Sequence, residues 1–394
     1  MGKILITKIN DKIITAFHDG NAILDLKVSV NDDSVRNGDI YVGYVENIVK
    51  NLNAAFVEIR PGVKGYLDLN DNTEHIFINP KKNDKLCIGD KILVQVIREP
   101  IKSKPVTLSS EINISGKKCV LLGKDTGKIT ISSKVKSEEE RNRLLSLGEE
   151  LYSEYKRSAI LRTNCMGASE DSIRLEYKEL SDRFDALIKR ATVGIKDECL
   201  VKGIPAYLSL IRDLPDNSVE SIITDIKELH EEIKEYLEAS QKEDAGKLSF
   251  YSDDNLSLSA LYSIESALKK ATDKYVWLKS GAYLVIEYTE AMTVVDVNSG
   301  KSVKTKGNFE ETALKLNMEA ADELLYQLRL RNLSGMIIVD FISMKSEENK
   351  EKLFSYLKDK CRAESVKTDV MDITRLGLME ITRKRQSRPV HECI

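Results

Sequence analysis

No run in this sequence approaches the roughly 18 consecutive apolar residues that a membrane-spanning helix needs. The first residues, MGKILITKINDK, alternate apolar and polar positions and lack the apolar core and small-residue cleavage site of a secretory signal. A cytoplasmic chain with no membrane span is expected. Cysteine is sparse and scattered: Cys87, Cys119, Cys165, Cys199, Cys361 and Cys393 stand singly, with no C-x-x-C pair to grip zinc or shuttle disulfides. They read as reduced thiols. An excess of positive charge is also missing. The net charge of −3 at pH 7 argues against nonspecific coating of nucleic acid, so any basic groove must be regional. Neither internal repeats nor low-complexity segments are found.

What is present is an ordinary globular composition, 42% apolar and 31% charged over 394 residues. That length suits two to four compact units, since domains run about 100 to 200 residues. From Lys3 to Val30 the period is two, with Asn10-Asp11 and Asp19-Gly20-Asn21 as turns, which predicts an antiparallel meander. Between Gly38 and Ser110 short strands (IYVGYVENIV, AAFVEI, KGYLDL, KILVQVI, PVTLSS) are spaced as in a small barrel of OB type. After Lys134 the pattern turns helical behind Ser137 and Glu140, a capping-box pair. AILRT reads as a short strand, and DSIRLEYKELSDRFDALIKRA as a second amphipathic helix. From SVESIITDI onward, strands alternate with helices, LSALYSIESALKKA among them, the signature of an α/β unit.

Two later segments look alike: Met292 to Val297 (MTVVDV) and Met336 to Phe341 (MIIVDF). Each is an aliphatic run expected to be a buried strand, interrupted by one aspartate. A helix from about Glu310 to Leu333 lies between them, with Glu311, Leu314, Met318, Ala321, Leu325 and Leu328 on one stripe. Strand, helix, strand is a crossover that normally makes the strands parallel and brings Asp296 and Asp340 to one carboxyl-terminal edge. Two carboxylates about 5 Å apart repel unless protonated or bridged by a cation, and magnesium takes one or two carboxylates plus water and phosphate. Asn298, two residues past Asp296, points to the same side and can orient a ligand or a water. The bland alternative is that each aspartate ends a strand or caps a helix. Lys301, Lys304, Lys306, Arg329, Arg331, Arg375 and the run Arg383-Lys384-Arg385 offer phosphate contacts along a groove, or only a solvated face.

The blocks EAMTVVDVNSG, EETALKLNMEAADELLYQLRLRNLSGMIIVDFI and TRLGLMEITRKR closely resemble the catalytic region of the ribonuclease E/G family. The similarity reaches upstream through AAFVEI, KGYLDL and LRT, so it covers nearly the whole chain. It implies an α+β and α/β multidomain fold. An RNase-H-like scaffold (1–35 and 206–272) is split by an OB-fold RNA-binding domain (36–110) and a 5′-sensor (111–205). A deoxyribonuclease-I-like catalytic subdomain (273–394) follows. It further implies a magnesium-dependent endoribonuclease of RNA processing or decay that acts on single-stranded RNA, leaves 5′-phosphate and 3′-hydroxyl ends, and prefers 5′-monophosphorylated RNA. The catalytic positions match Asp296, Asn298 and Asp340, with both aspartates as metal ligands. The sensor positions match Arg162 and Thr163, with Val120 contributing backbone and Lys367 completing the set. The RNA-contacting barrel positions match Phe56, Tyr66 and Lys104. Taken alone, Phe56 fits barrel core as well as a stacking platform.

Three departures stand out. Phe341-Ile342-Ser343 ends on serine where the family commonly has an acidic residue. Lys367 replaces an arginine, which loses a two-pronged grip. The C-x-x-C zinc link and small domain that normally follow TRKR do not occur in this sequence, so no structural zinc is expected and any homodimer would form without that link. Only four histidines occur (His18, His75, His230, His391), none in the catalytic blocks, which disfavours a metal-free histidine-pair ribonuclease. The rivals are a noncatalytic RNA-binding or assembly protein and a DNA nuclease.

Overall fold

The computed structural model describes residues 2–30, 34–79, 81, 83–100, 105–193, 198–215, 218–300, 309–385 and 387–394. The chain forms two compact units: Met1–Asn31, Glu220–His230 and Ser249–Ile394 make the first, and Asp32–Val219 with Glu231–Leu248 the second. Among the described residues no helix is long and apolar enough to cross a membrane.

In the second unit the short strands close into a barrel. They are β4 (Ile40–Val49), β5 (Ala54–Arg60), β6 (Val63–Asp68), β7 (Lys91–Arg98) and β8 (Val106–Ser109). Antiparallel pairing runs β4–β5–β6, β8 joins β6 in parallel, and β7 closes the ring by pairing with both β8 and β4. This is the OB-like barrel expected, with Val45, Val57, Leu67, Ile92, Val94 and Leu108 filling its interior. A four-stranded sheet follows, in the order β11 (Ile129–Ile131), β12 (Ala159–Leu161), β10 (Cys119–Leu122) and β9 (Asn113–Ser115). Helices α1 (Glu138–Tyr155) and α2 (Glu170–Val193) cover it, burying Leu144, Leu147, Leu151, Tyr177, Leu180 and Phe184. Ser137 caps α1 by accepting from Glu140 N, but the Glu140 carboxylate turns to Arg143 instead of back to the cap, so half of the capping box forms. Short strand β13 (Cys199–Val201) adds to β4, and α3 (Ala206–Asp213) follows it.

The first unit opens with the expected meander, β1 (Gly2–Ile9), β2 (Lys12–His18) and β3 (Ile23–Val30), antiparallel throughout. Strands β14 (Val219–Thr224) and β15 (Leu248–Phe250), separated by α4 (Lys227–Ser240), extend it in the order β15-β14-β1-β2-β3. The segment LSALYSIESALKKA is two helices, α5 (Leu258–Leu261) and α6 (Ile264–Thr272), because Ser263 adopts a left-handed φ of 53°. Leu258, Ile264, Leu268 and Ala271 stay buried across the break, which is why the pattern reads as continuous.

A second sheet in this unit has the order β16 (Tyr275–Trp277), β17 (Tyr283–Tyr288), β18 (Met292–Asn298), β19 (Gly335–Asp340), β21 (Met379–Arg383) and β20 (Thr368–Ile373). Helices α7 (Phe309–Leu330) and α8 (Glu347–Ala363) share its core, and α9 (Val390–Cys393) ends the chain. Two expectations need correction. The aspartate-bearing strands are buried on one face only: Thr293, Val295, Val297, Ile337 and Val339 are buried while Asp296, Met336 and Asp340 are exposed. Of the stripe expected on α7, Ala321, Leu325 and Leu328 are buried, but the buried face continues through Ala313, Leu316, Asn317, Ala320 and Leu324, leaving Leu314 and Met318 at its border and Glu311 in solvent.

Candidate active site: paired carboxylates on an open sheet face

Because side chains alternate along a strand, the aliphatic residues of β18 and β19 anchor one face and send every second residue to the other. The two strands are parallel, with α7 in the crossover, and their register makes Asp296 and Asp340 direct partners at the carboxyl end. Neighbouring strands lie about 4.8 Å apart, so the carboxylates stand side by side. Burial, and then the charge of Asp296, push the Asp340 carboxyl above the usual aspartate range. Asn298 is on the same face, and its Nδ2 donates to Asp296 Oδ2 at 2.7 Å. Beyond it the chain turns at Gly300, where φ is +55° and a Cβ would stand 2.3 Å from Gly281 O, so only glycine fits.

No group of three or more histidine, cysteine, aspartate or glutamate side chains suited to a metal ion occurs among the described residues. Two carboxylates and one amide, all oxygen donors, suit a hard cation that keeps several waters and do not make a zinc cage. Magnesium fits this donor set. A raised Asp340 supports that fit, since a cation between the carboxylates relieves the repulsion that proton uptake otherwise relieves.

Behind the pair sits a residue that the sequence reading missed. Asn317 on α7 is fully buried; its Nδ2 donates to Ile342 O at 2.8 Å and its Oδ1 accepts from Ile342 N at 2.9 Å. Glu310 Oε1, about two α7 turns before Asn317, accepts from Lys345 N at 2.7 Å. The helix thereby holds the segment that leaves Asp340. An asparagine within an apolar helical stripe was the available signal. In that segment Phe341 is buried and Ser343 exposed.

The basic residues divide. Lys301, Lys304 and Lys306 lie outside the described residues, and Arg375, Lys384 and Arg385 are exposed. Arg331 is not a groove cation: it is fully buried and donates to Gln327 Oε1, Tyr288 OH and Lys270 O. Arg383 is likewise buried, donating to Leu333 O, and Arg329 faces Glu364 at 3.7 Å. Their strand and helix phases point them inward, where they tie elements together.

In the second unit Arg162 follows β12 directly and Thr163 opens a short 3-10 turn. Val120 on β10 pairs with Ile160 of β12, two residues before Arg162. Arg162 Nη1 donates to Gly116 O and its Nη2 to Asp213 Oδ1, each at 2.8 Å. Burial would raise the Asp213 carboxyl, but hydrogen bonds and charge from Arg212 and Arg162 outweigh it and hold the group below its usual range. Lys367 belongs to the first unit and is exposed, 3.5 Å from Asp369. On the barrel, Phe56 and Tyr66 are partners across β5 and β6, with ring centroids 6.1 Å apart and edge to face. Their neighbours Ala55, Val57, Gly65 and Leu67 are buried while both rings are half-exposed, so Phe56 belongs to the outer face and not to the barrel core. Lys104 lies outside the described residues.

The sequence profile described as the ribonuclease E/G family matches residues 113–386. Ribonuclease G of Haemophilus influenzae is 34% identical, over 88% of this chain and 72% of its own length. A ribonuclease E/G-like protein of Pyropia yezoensis is 32% identical, over 98% and 77%. Ribonuclease E of a Nostoc species is also 32% identical, over 96% of this chain but 55% of its own length, so the chain spans about half of that longer relative. With a matching profile over most of the chain and relatives above 30% identity along nearly all of it, this protein belongs to the ribonuclease E/G family.

Proposed function

We propose that this chain, an endoribonuclease by its family, cuts single-stranded RNA at a magnesium site held by Asp296 and Asp340. The cut leaves 5′-phosphate and 3′-hydroxyl ends and serves RNA processing or decay, including ribosomal RNA maturation and mRNA turnover. The observation that carries this reading is the in-register pairing of the two aspartates on an open sheet face, with Asn298 bonded to one of them.

When bound, the cation supplies charge neutralisation at the scissile phosphate and lowers the pKa of a water. The chain's own part is preorganisation. Two rigid strands set the carboxylates side by side before substrate arrives, so no reorganisation is needed at the moment of reaction. The amide of Asn298 fixes the rotamer of Asp296. Asn317 and Glu310 hold the backbone that follows Asp340 and so act as positioning residues. On the barrel, the outward rings of Phe56 and Tyr66 suit base stacking, and Lys104 completes that contact set in the proposal. Arg162, Thr163 and Val120, all in the second unit, are proposed to read a 5′-monophosphate.

The finer architecture belongs to the same proposal: an RNase-H-like scaffold around β1–β3, β14 and β15, and a deoxyribonuclease-I-like subdomain around β16–β21. Distinct five- and six-stranded sheets support that division. A homodimer, in this reading, would use ordinary packing surfaces.

Matched RNA and DNA oligonucleotides, incubated with and without magnesium, test the function. RNA alone should be cut, and only with the metal. RNA bound but uncut would leave a noncatalytic binding protein, and DNA cut equally well would leave a general nuclease.

A further inference from the structure

The open face that carries the aspartates continues across two more strands. On β17, Val285 is the partner of Asp296 and Tyr283 of Asn298. On β16, Tyr275 is the partner of Val285 and Trp277 of Tyr283. Directly paired residues share a face, so one row reads Tyr275, Val285, Asp296, Asp340 and the next Trp277, Tyr283, Asn298. The intervening Val276, Leu284 and Ile286 face the core.

Tryptophan is highly buried on average, yet Trp277 is 68% exposed and Tyr275 54%. The rings are gathered, with Trp277 and Tyr283 centroids 4.8 Å apart and Tyr275 and Tyr283 centroids 6.1 Å apart. Lys274 Nζ, paired with Glu287 at 2.7 Å, lies 5.9 Å from the Tyr275 ring. Core packing gives no reason for this cluster, because its strands are already anchored by their opposite faces. Trp277 lies two strand spacings from Asn298, about 10 Å, a span that the sugar and base of one nucleotide can cover.

We propose that Trp277 and Tyr283 form a stacking subsite for a nucleobase adjacent to the phosphate at Asp296 and Asp340. The proposal rests on the single-stranded RNA reading above and adds to it where the substrate lies on this face. Stacking on a π-face tolerates every base, so the subsite contributes binding and register, not sequence readout. It also requires an unpaired strand, since a base held in a duplex is not free to lie on the ring.

The chain contains one tryptophan, so its fluorescence reports this position alone. Titrating the full chain, in chelator, with an end-labelled single-stranded RNA oligonucleotide should quench tryptophan emission in parallel with the rise in label anisotropy. With magnesium, Trp277→Ala should lower kcat/KM about ten-fold, within the range of one lost stack. Trp277→Phe should retain most of the activity, and Tyr283→Ala should show a smaller loss. An abasic residue next to the cut site should slow the unmodified enzyme and add little to the Trp277→Ala defect. Cleavage and binding without quenching overturn the subsite and leave the nuclease reading standing; quenching without cleavage does the reverse. An abasic residue that slows Trp277→Ala as much as the parent overturns the subsite too. So does a Trp277→Ala protein whose only change is loss of self-association, which would make the aromatic face a contact between copies of this chain.

Discussion

At the proposed magnesium site a proton and the cation would compete for Asp340. Because its folded carboxyl is raised by burial and by Asp296, the stability it contributes to the metal-free protein is fully present below the ordinary aspartate pKa. That stability is lost as pH rises through the raised value. Magnesium should restore it, so the gain in Tm on adding magnesium is expected to grow with pH across that window. In Asp340→Asn the gain should become small and flat, which a series of melts with and without metal would show. Asp296→Asn and Asp340→Asn should each abolish cleavage while RNA binding persists, and Asn298→Ala should slow turnover less completely. Undiminished cleavage by either aspartate variant would remove the site assignment. This site was legible residue by residue: period two within MTVVDV and MIIVDF, and the two-residue step from Asp296 to Asn298, place three groups on one face. The direction of the arginines was not legible. Nothing in a charge run says that Arg331 points into the core to join Gln327, Tyr288 and Lys270, whereas Lys384 beside Arg383 points out.

Helix α7 does more than connect two strands. Asn317 pairs with both backbone groups of Ile342, so removing the amide leaves a donor and an acceptor without partners, each costing about 1–3 kcal/mol. Asn317→Ala is therefore expected to lower unfolding free energy by roughly 2–5 kcal/mol in urea titrations. Residual activity should fall with it, because the backbone leaving Asp340 loses its anchor. A variant as stable as the parent would mean that water replaces the amide. The sequence predicted this helix within a few residues at its start but with the first part of its stripe rotated. Alanines at 313 and 320 carry little hydrophobic weight, so a stripe drawn mainly through leucine and methionine was pulled toward Leu314 and Met318. The break at Ser263 escaped for a related reason: the apolar positions of α5 and α6 keep helical spacing while one left-handed residue interrupts the backbone. Meander and barrel were readable because turn residues and alternation agree along their whole length.

At the scale of the molecule, the proposed sensing of the RNA end rests on Arg162 in the second unit. Arg162 is held by Gly116 O and Asp213, so a terminal phosphate must share a guanidinium that already has an anionic partner. Cleavage of one oligonucleotide bearing a 5′-phosphate or a 5′-hydroxyl should differ in rate. Arg162→Ala should erase the difference and spare the hydroxyl form. Equal rates in the unmodified enzyme would show that Arg162 serves only its ion pair. No composition change marks the points at which the chain leaves one unit and re-enters the other, and a split scaffold, 1–35 and 206–272, was implied by the family resemblance alone. The chain passes between the units four times, at residues 31–32, 219–220, 230–231 and 248–249. The order of synthesis is therefore not the order of completion. Strand β1 is made before the barrel, yet the neighbour that covers its outer edge, β14, is translated only after the barrel and the helical layer have emerged. Until then the N-terminal meander carries an open row of backbone donors and acceptors, and a ribosome stalled before residue 219 would release a chain with a finished barrel and a bare β-edge.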